Sequence, residues 1–164
     1  NDFSWRGDSP DAEAWRQGRT GVAMVDAGMR EMFVTGRMHN RVRMIAGSYL
    51  VKHLMTDWRI GLDWFARCLT DWDAASNAMN WQWVAGCGPD ASPFFRVFNP
   101  DTQAVKFDGQ RRYRDFWMEP GAEGARDFVA AVPRSWMPDA LPVAPVDLDQ
   151  GRQRALDAYA RFRR

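Results

Sequence analysis

Residues 21–36 read GVAMVDAGMREMFVTG, and their apolar side chains recur at intervals of three and four positions. This is the spacing of one face of an α-helix. Gly36 follows the last apolar residue, at the position where helices commonly end in a left-handed conformation. The stretch therefore predicts a helix that buries one side. The apolar set comprises Val22, Val25, Met29, Met32 and Phe33.

The same helical period continues along the chain, and no segment shows the alternation typical of β-strands. The fold class predicted is therefore all-α, a helical bundle. Residues 92–108 contain turn residues and aromatics without this period and are predicted to be a long ordered loop, and the Pro-rich residues 137–147 a spacer. Further helices are predicted at about 39–55, 57–69, 73–84, 110–118, 125–131 and 149–164.

Composition indicates one compact soluble domain over residues 1–164. Apolar residues make up 46% of the 164 positions and charged residues 26%, which is ordinary for a globular protein. No apolar run is long enough to span a membrane and no secretory leader begins the sequence, so we expect no membrane partner and a cytoplasmic location. Cys68 and Cys87 are predicted to be free thiols.

The basic residues are nearly all arginine, 20 of 22, although the net charge is only +1. Arginine presents a planar fork of donors that suits phosphates and carboxylates. Basic side chains predominate in residues 21–60 and acidic ones in residues 61–90. This pattern is compatible with an anion-binding surface beside a polar site, and also with alternating solvated helix faces.

The sequence lacks the characteristic motifs of several enzyme classes. His39 and His53 are the two histidines, and the cysteines are nineteen positions apart, so no zinc cluster and no other metal site is predicted. There is no GxSxG motif of the common hydrolases and no glycine-rich loop opening a helix.

Polar residues share one side of the second predicted helix. Asn40, Arg43 and Met44 lie at i, i+3 and i+4, which places an amide, a guanidinium and a thioether close together.

On the fourth predicted helix, the polar residues Asp73 and Asn77 and the aromatic Trp81 follow one another at intervals of four positions. If both helix faces look inward, they line a pocket suited to a large heterocyclic cofactor. Caps and salt bridges produce the same spacings, and Asp71 and Asp73 are alternatively helix caps.

Three blocks carry a resemblance to a known family. The blocks are WRQGRTGVAMVDAGMREM at 15–32, GRMHNRVRMIAGSYLVKHLMTDWRIG at 36–61 and DWDAASNAMNWQWVAGCGPDASPFFRVFNPDTQAVKFD at 71–108. Through them the chain resembles the C-terminal, flavin-binding helical domain of DNA photolyases and cryptochromes over about residues 5–117, and most of all the bacterial enzymes that repair cyclobutane pyrimidine dimers.

The resemblance implies FAD as cofactor and assigns residues around it. Asn77 matches the asparagine that faces flavin N5, where plant cryptochromes typically carry aspartate. Arg43, Asp71 and Asp73 match residues around the polar edge of the flavin and its ribityl chain. Asn40 matches a polar contact beside the U-shaped FAD.

The resemblance also gives a role to three of the nine tryptophans. Trp81, Trp58 and Trp5 match, from flavin to surface, the chain of indoles that reduces photoexcited flavin by electron hops. The alternative is that a tryptophan-rich helical domain is simply well packed.

UV-damaged DNA is the partner that the resemblance implies. Trp83 and Met44 match residues that pack against the flipped-out pyrimidine dimer, and Arg41 and Arg96 match contacts to the lesion strand. A lesion within a duplex reaches a buried flavin only by extrusion into a pocket.

Two of the chain's departures from the family bear on the flavin site and on the extent of the chain. His53 stands where many relatives have an aspartate that pairs with the arginine matched by Arg43, which predicts that this acid partner is absent and that flavin tuning differs. An N-terminal antenna domain with its chromophore, and an earlier helical stretch, are missing, so the chain looks like the C-terminal third of such an enzyme.

Three alternative hypotheses for the function follow from the resemblance. The first is the FAD-binding portion of a light-driven deoxyribodipyrimidine photo-lyase, inactive on its own. The second is a cryptochrome-like photoreceptor without repair activity, and the third is a helical remnant that no longer binds FAD.

Overall fold

The computed structural model describes residues 3–89, 96–137 and 144–162, and these residues fold as helices joined by short connections. The all-α prediction is confirmed: among the described residues the β-structure is a single bridge between Arg6 and Thr56. The α-helices are α1 (Pro10–Arg16), α2 (Ala23–Thr35), α3 (Asn40–Ser48), α4 (Trp58–Cys68), α5 (Ala74–Ala85), α6 (Pro100–Phe107), α7 (Arg112–Met118), α8 (Glu123–Ala131) and α9 (Leu148–Phe162), with a π-helix (Tyr49–His53) and a 3-10 helix (Arg134–Trp136).

Helix α2 forms where the apolar period predicts it and lies at the centre of the packing. Gly36 ends it with φ +69, and the Gly36 N–H donates to Met32 O at 2.9 Å. The helix packs against α3, α7 and α8. Gly28 lets α3 approach closely, because a Cβ atom at that position would lie 2.4 Å from Val42 Cγ1.

The second predicted helix, residues 39–55, is divided in the structure. After α3 the hydrogen-bond register widens to that of a π-helix, and Leu54 N–H donates to Tyr49 O at 3.1 Å. All five side chains of the π-helix are buried, including Lys52 and His53. Single π-helical turns inside helices are often found at functional sites.

The predicted loop at residues 92–108 is wrong over half its length, because residues 100–107 form α6. Asn99 Oδ1 accepts hydrogen bonds from the N–H groups of Asp101 and Thr102 at 2.9 and 3.1 Å. Pro100 occupies the first turn, where its missing N–H costs nothing. Residues 92–95 of this prediction, and residues 138–143 of the predicted spacer, lie outside the described residues.

Both cysteines are free thiols, as predicted. Among the described residues, no helix is long and apolar enough to cross a membrane. No described group of three or more His, Cys, Asp or Glu side chains is arranged to hold a metal ion.

Candidate functional site

A cavity of about 390 Å³ lies between α3, α5 and the segment that joins α4 to α5. It brings together polar and aromatic side chains that are up to 43 positions apart in the chain. The sequence-predicted site residues that line it are Asn40, Arg43, Met44, Asp71, Asp73, Asn77, Trp81 and Trp83.

The guanidinium of Arg43 is held in a fixed orientation at this cavity. Its Nε donates to Met38 O at 2.7 Å, and Nη2 contacts both carboxylate oxygens of Asp71 at 3.0 and 2.8 Å. Because Asp71 is largely exposed, this ion pair adds little to the free energy of unfolding. Its main effect is to orient the positive charge.

His53 stands in place of the usual aspartate partner of Arg43, and Asp71 pairs with the guanidinium instead. His53 lies elsewhere, with its ring stacked on Tyr49 at a centroid distance of 5.2 Å. Burial, with the nearby charge of Arg154, lowers the pKa of His53 to about 4. The ring is therefore neutral at pH 7 and belongs to the core.

Asn77 presents one end of its amide as a free acceptor. Its Nδ2 donates to Leu62 O at 3.0 Å, which fixes the orientation of the amide and leaves Oδ1 to accept a hydrogen bond. Leu62 belongs to α4, so the contact also ties α5 to its neighbour. Asn77 is half-buried and lines the cavity.

Asp73 caps α5 and lines the cavity at the same time. Its Oδ1 accepts from Ser76 N–H at 2.8 Å, and this hydrogen bond lowers the pKa of the carboxyl group. The capping alternative is thus correct for Asp73 and wrong for Asp71, whose carboxylate pairs with Arg43 instead. Neither local role removes these carboxylates from the cavity.

Trp81 forms the buried aromatic wall of the cavity. Its ring packs edge-on against Phe65 at 5.0 Å and against Trp15 at 6.1 Å. Gly61 leaves space for the ring, because a Cβ atom there would lie 2.1 Å from Trp81 Cη2.

Sequence reasoning missed the apolar part of this wall. Phe65 follows from the helical period as a core residue, but the sequence does not show that it meets Trp81. The lining residues outside the prediction are Gly47, Phe65, Leu69, Trp72, Ser76, Asn80 and Val84.

Trp58 and Trp5 lie outside the cavity. Trp58 is buried at the start of α4, one turn before Gly61 and the Trp81 contact. Trp5 is brought to the same region because Arg6, the next residue, exchanges backbone hydrogen bonds with Met55 and Asp57 at 2.7 and 2.9 Å. The order Trp81, Trp58, Trp5 is compatible with this placement, and their electron-transfer role stays a prediction.

Arg41 and Arg96 also lie outside the cavity lining. The Arg41 guanidinium stands over the exposed ring of Phe107 at 4.7 Å, and Arg96 is exposed before α6. Their predicted contacts to DNA stay predictions.

Comparison with known proteins identifies the family. Residues 1–161 match the family described as the FAD binding domain of DNA photolyase. The chain belongs to this photolyase family. The family assignment also confirms FAD, the predicted cofactor.

Individual photolyases and cryptochromes are similar to nearly the whole chain. The deoxyribodipyrimidine photo-lyase of Agrobacterium fabrum is 48% identical over 169 residues, covering 96% of this chain and 35% of the relative. A class III photolyase structure from Agrobacterium tumefaciens matches with a TM-score of 0.84 and 46% identity over 99% of this chain and 36% of that one. A Synechocystis cryptochrome structure matches with a TM-score of 0.80 and 35% identity over 96% and 34%.

The chain spans about a third of the length of the curated photolyases it matches. The activity, substrates and partners of a whole photolyase are therefore proposals for this chain.

Proposed function

We propose that this chain is the FAD-binding part of a light-driven enzyme that splits cyclobutane pyrimidine dimers in UV-damaged DNA. The observation that carries the proposal is the cavity in which the guanidinium of Arg43, the free acceptor of Asn77 and the ring of Trp81 meet. When bound, FAD supplies light absorption and the electron that the dimer receives.

The donor set of the cavity fits such a cofactor. A flavin presents an aromatic face, a polar edge and a ribityl chain, which call for an apolar wall, a cation and several hydrogen-bonding groups. Trp81 and Phe65 would supply the wall, and Arg43 the cation. Asn40, Asp71 and Asp73 would hold polar atoms at the rim.

Asn77 would control a proton at the reactive edge of the ring system. Since its Nδ2 donates to Leu62 O, the amide offers Oδ1, which would accept a hydrogen bond from a protonated ring nitrogen of the bound cofactor. An aspartate at the same position would add a negative charge there. Asn77 would thus favour the protonated form without repelling further electrons.

Three indoles would carry electrons inward from the surface. After Trp81 has lost an electron, Trp58 would reduce it. Trp5 would then reduce the oxidised Trp58. Trp81 and Trp58 are 3% and 7% exposed, so water has little access to the first two carriers. The partly exposed Trp5 would be the site at which the chain is refilled.

Trp83 and Met44 would contact the extruded lesion, because both side chains line the cavity. Arg41 and Arg96 would bind phosphates of the lesion strand from the surrounding surface. Binding that depends on phosphate contacts weakens as salt rises, because counterions must be released.

Photoreduction of the FAD-loaded chain tests the electron route. Trp58→Phe keeps an aromatic ring of similar shape but removes the easily oxidised indole, so we expect photoreduction to slow by at least tenfold. Trp136→Phe is the matched control, because Trp136 packs with Phe33 in a separate aromatic cluster. Equal rates in both variants and the unmodified chain would contradict the electron route.

Repair is tested in a chimera in which this chain replaces the corresponding third of the Agrobacterium fabrum enzyme. We expect illumination of the reduced chimera to split the pyrimidine dimers in UV-damaged DNA and so return the DNA to its undamaged form. Unchanged dimers, in a chimera that still photoreduces its flavin, would favour the photoreceptor function of the cryptochrome relatives.

A further inference from the structure

A second cavity, of about 520 Å³, opens between the N-terminal segment and α9. It shares no lining residue with the first cavity. Its walls are aromatic and basic. The lining residues are Phe3, Ser4, Arg6, Met55, Arg154, Ala158, Arg161 and Phe162.

The cavity carries a positive charge. Arg6 is partly balanced by Asp11 at 2.9 Å, and its Nη1 donates to Leu54 O at 3.1 Å. Arg154 is anchored because its Nη2 donates to His53 O. Within the described parts of the chain, neither Arg154 nor Arg161 forms a salt bridge, and no carboxylate lines the cavity. An anion entering it would meet guanidinium groups that are already partly positioned.

The aromatic wall of this cavity is continuous with Trp5. The rings of Phe3 and Phe162 meet edge to face at 5.6 Å. On the side towards Trp5, the Phe3 ring packs on the indole at 4.5 Å. A planar molecule in the cavity would therefore be separated from Trp5, the outermost predicted electron carrier, by the Phe3 ring alone.

We propose that this cavity binds a planar, anionic one-electron donor of the ene-diolate class, which refills Trp5 after it has lost an electron. The proposal rests on the proposed function. Phe3 and Phe162 would contact the planar face of the donor, and the arginines would bind its negative charge.

The electron balance of the step is simple. The donor loses one electron and becomes its oxidised radical, and the Trp5 radical cation gains that electron and returns to the neutral indole. Any proton released by the oxidised donor passes to water at the open mouth of the cavity. Arg6, Arg154 and Arg161 are all exposed there, so solvent is in contact with the site.

Binding is tested first, with ascorbate as the probe and the flavin-free chain as the protein. We expect calorimetry to show one saturable site that weakens with added salt. Arg161→Gln should weaken binding by about threefold or more, because it removes one of the two lining arginines that form no salt bridge within the described residues. Arg152→Gln is the matched control, since Arg152 is exposed on the same helix but does not line the cavity.

A flat isotherm, or equal weakening in both variants, would overturn the site. Inorganic phosphate serves as a second probe without a planar face. If phosphate bound as tightly as ascorbate, the planar part of the proposal would be wrong.

The electron step is tested by flash photolysis of the FAD-loaded chain. Decay of the tryptophan radical should accelerate with ascorbate until the site saturates, and Arg161→Gln should slow this decay by about threefold at low salt. Decay driven by dithiothreitol, a neutral reductant, should be equal in Arg161→Gln and Arg152→Gln.

The two proposals fail in different ways. A normal tryptophan radical whose decay by ascorbate is unchanged in Arg161→Gln would overturn the donor site alone. No tryptophan radical in the loaded chain would overturn the electron route of the proposed function and this step with it, whereas the ascorbate isotherm would still decide whether the anion site exists.

Discussion

Asp26 is a buried carboxylate that organises the turn before α2. Its oxygens accept hydrogen bonds from Thr20 N–H and Thr20 Oγ1, both at 2.7 Å, and from Gly21 N–H at 2.9 Å. Burial nevertheless raises the pKa of Asp26 to about 6, because these donors offset only part of the lost hydration. Asp26 is thus mostly ionised at pH 7 and mostly protonated at pH 5.

Thr20→Val removes one of these donors while keeping the shape of the side chain. We expect the free energy of unfolding at pH 7 to fall by about 2 kcal/mol, the typical value of a hydrogen bond to a charged group. The loss should be smaller at pH 5, where Asp26 is protonated. Urea unfolding at both pH values measures this, with the exposed Thr102→Val as control. An equal loss at both pH values would contradict the assignment to Asp26.

His53 gives the fold a pH dependence of known sign. Its pKa is lowered to about 4 in the folded chain, against an ordinary value near 6.5, so between these values the unfolded chain binds more protons. Stability must therefore rise with pH across this window and fall as pH drops.

His53→Phe keeps a ring to stack on Tyr49 and removes the titration. From pH 7 to pH 5 the unmodified chain should lose about 2 kcal/mol more than this variant, as follows from the two pKa values. Asp26 titrates in both proteins, so its contribution cancels in the comparison. Urea unfolding curves at pH 5, 6 and 7 provide the measurement, and parallel profiles would show that His53 is not the titrating group.

The close contact between α4 and α5 depends on Gly61, which has no side chain. A Cβ atom on Gly61 would lie 2.1 Å from Trp81 Cη2, whereas one on Gly47 would lie 3.6 Å from the same ring, in ordinary contact. Gly61→Ala should therefore destabilise the chain by about 1–3 kcal/mol through overpacking, despite the better helix propensity of alanine.

Gly47→Ala is the matched control, because it adds the same methyl group in α3 and should leave the free energy of unfolding unchanged or raised. Urea unfolding and near-UV circular dichroism, which reports the Trp81 environment, measure both variants. If Gly61→Ala were as stable as Gly47→Ala, α4 and α5 would not pack as closely as described.

The period of apolar residues was enough to predict α2 and α4, because each buries one continuous face. Helix α5 was also predicted, although its buried side chains, Trp81, Val84 and Ala85, are confined to its C-terminal half. It did not predict α6, where capping by Asn99 and Pro100 determines the helix and Val105 and Phe107 are exposed. It also could not predict the π-helix, since a change of hydrogen-bond register inside a fully buried segment leaves the apolar pattern intact.

The candidate site was predictable to the extent that local spacing places side chains on one helix face. Asn40, Arg43 and Asn77 follow from that spacing together with the family resemblance. The Arg43–Asp71 pair joins residues 28 positions apart and depends on how the α4–α5 connection folds back. Pairings of this kind are tertiary contacts, which helical periodicity does not encode.

Two cavities now lie at the two ends of one proposed electron route. The first is walled by Trp81, and the second by the Phe3 ring that packs on Trp5. Trp58 lies between these regions in the chain, at the start of α4. A ligand in either cavity would bind only the folded chain, so each should stabilise it independently of the other.

Addition of FAD to the purified chain should therefore raise its free energy of unfolding, by about 2.7 kcal/mol when free FAD is one hundred times its dissociation constant. Arg43→Gln should reduce this gain, because it removes the oriented cation of the cavity. Arg67→Gln also breaks an arginine–aspartate pair, with Asp63 at 2.9 Å, but does so on an exposed helix face and should leave the gain intact. Thermal unfolding with and without FAD measures all three proteins. No gain in the unmodified chain would mean that the helical core folds without retaining its cofactor, and equal gains in the two variants would place FAD outside the cavity at Arg43.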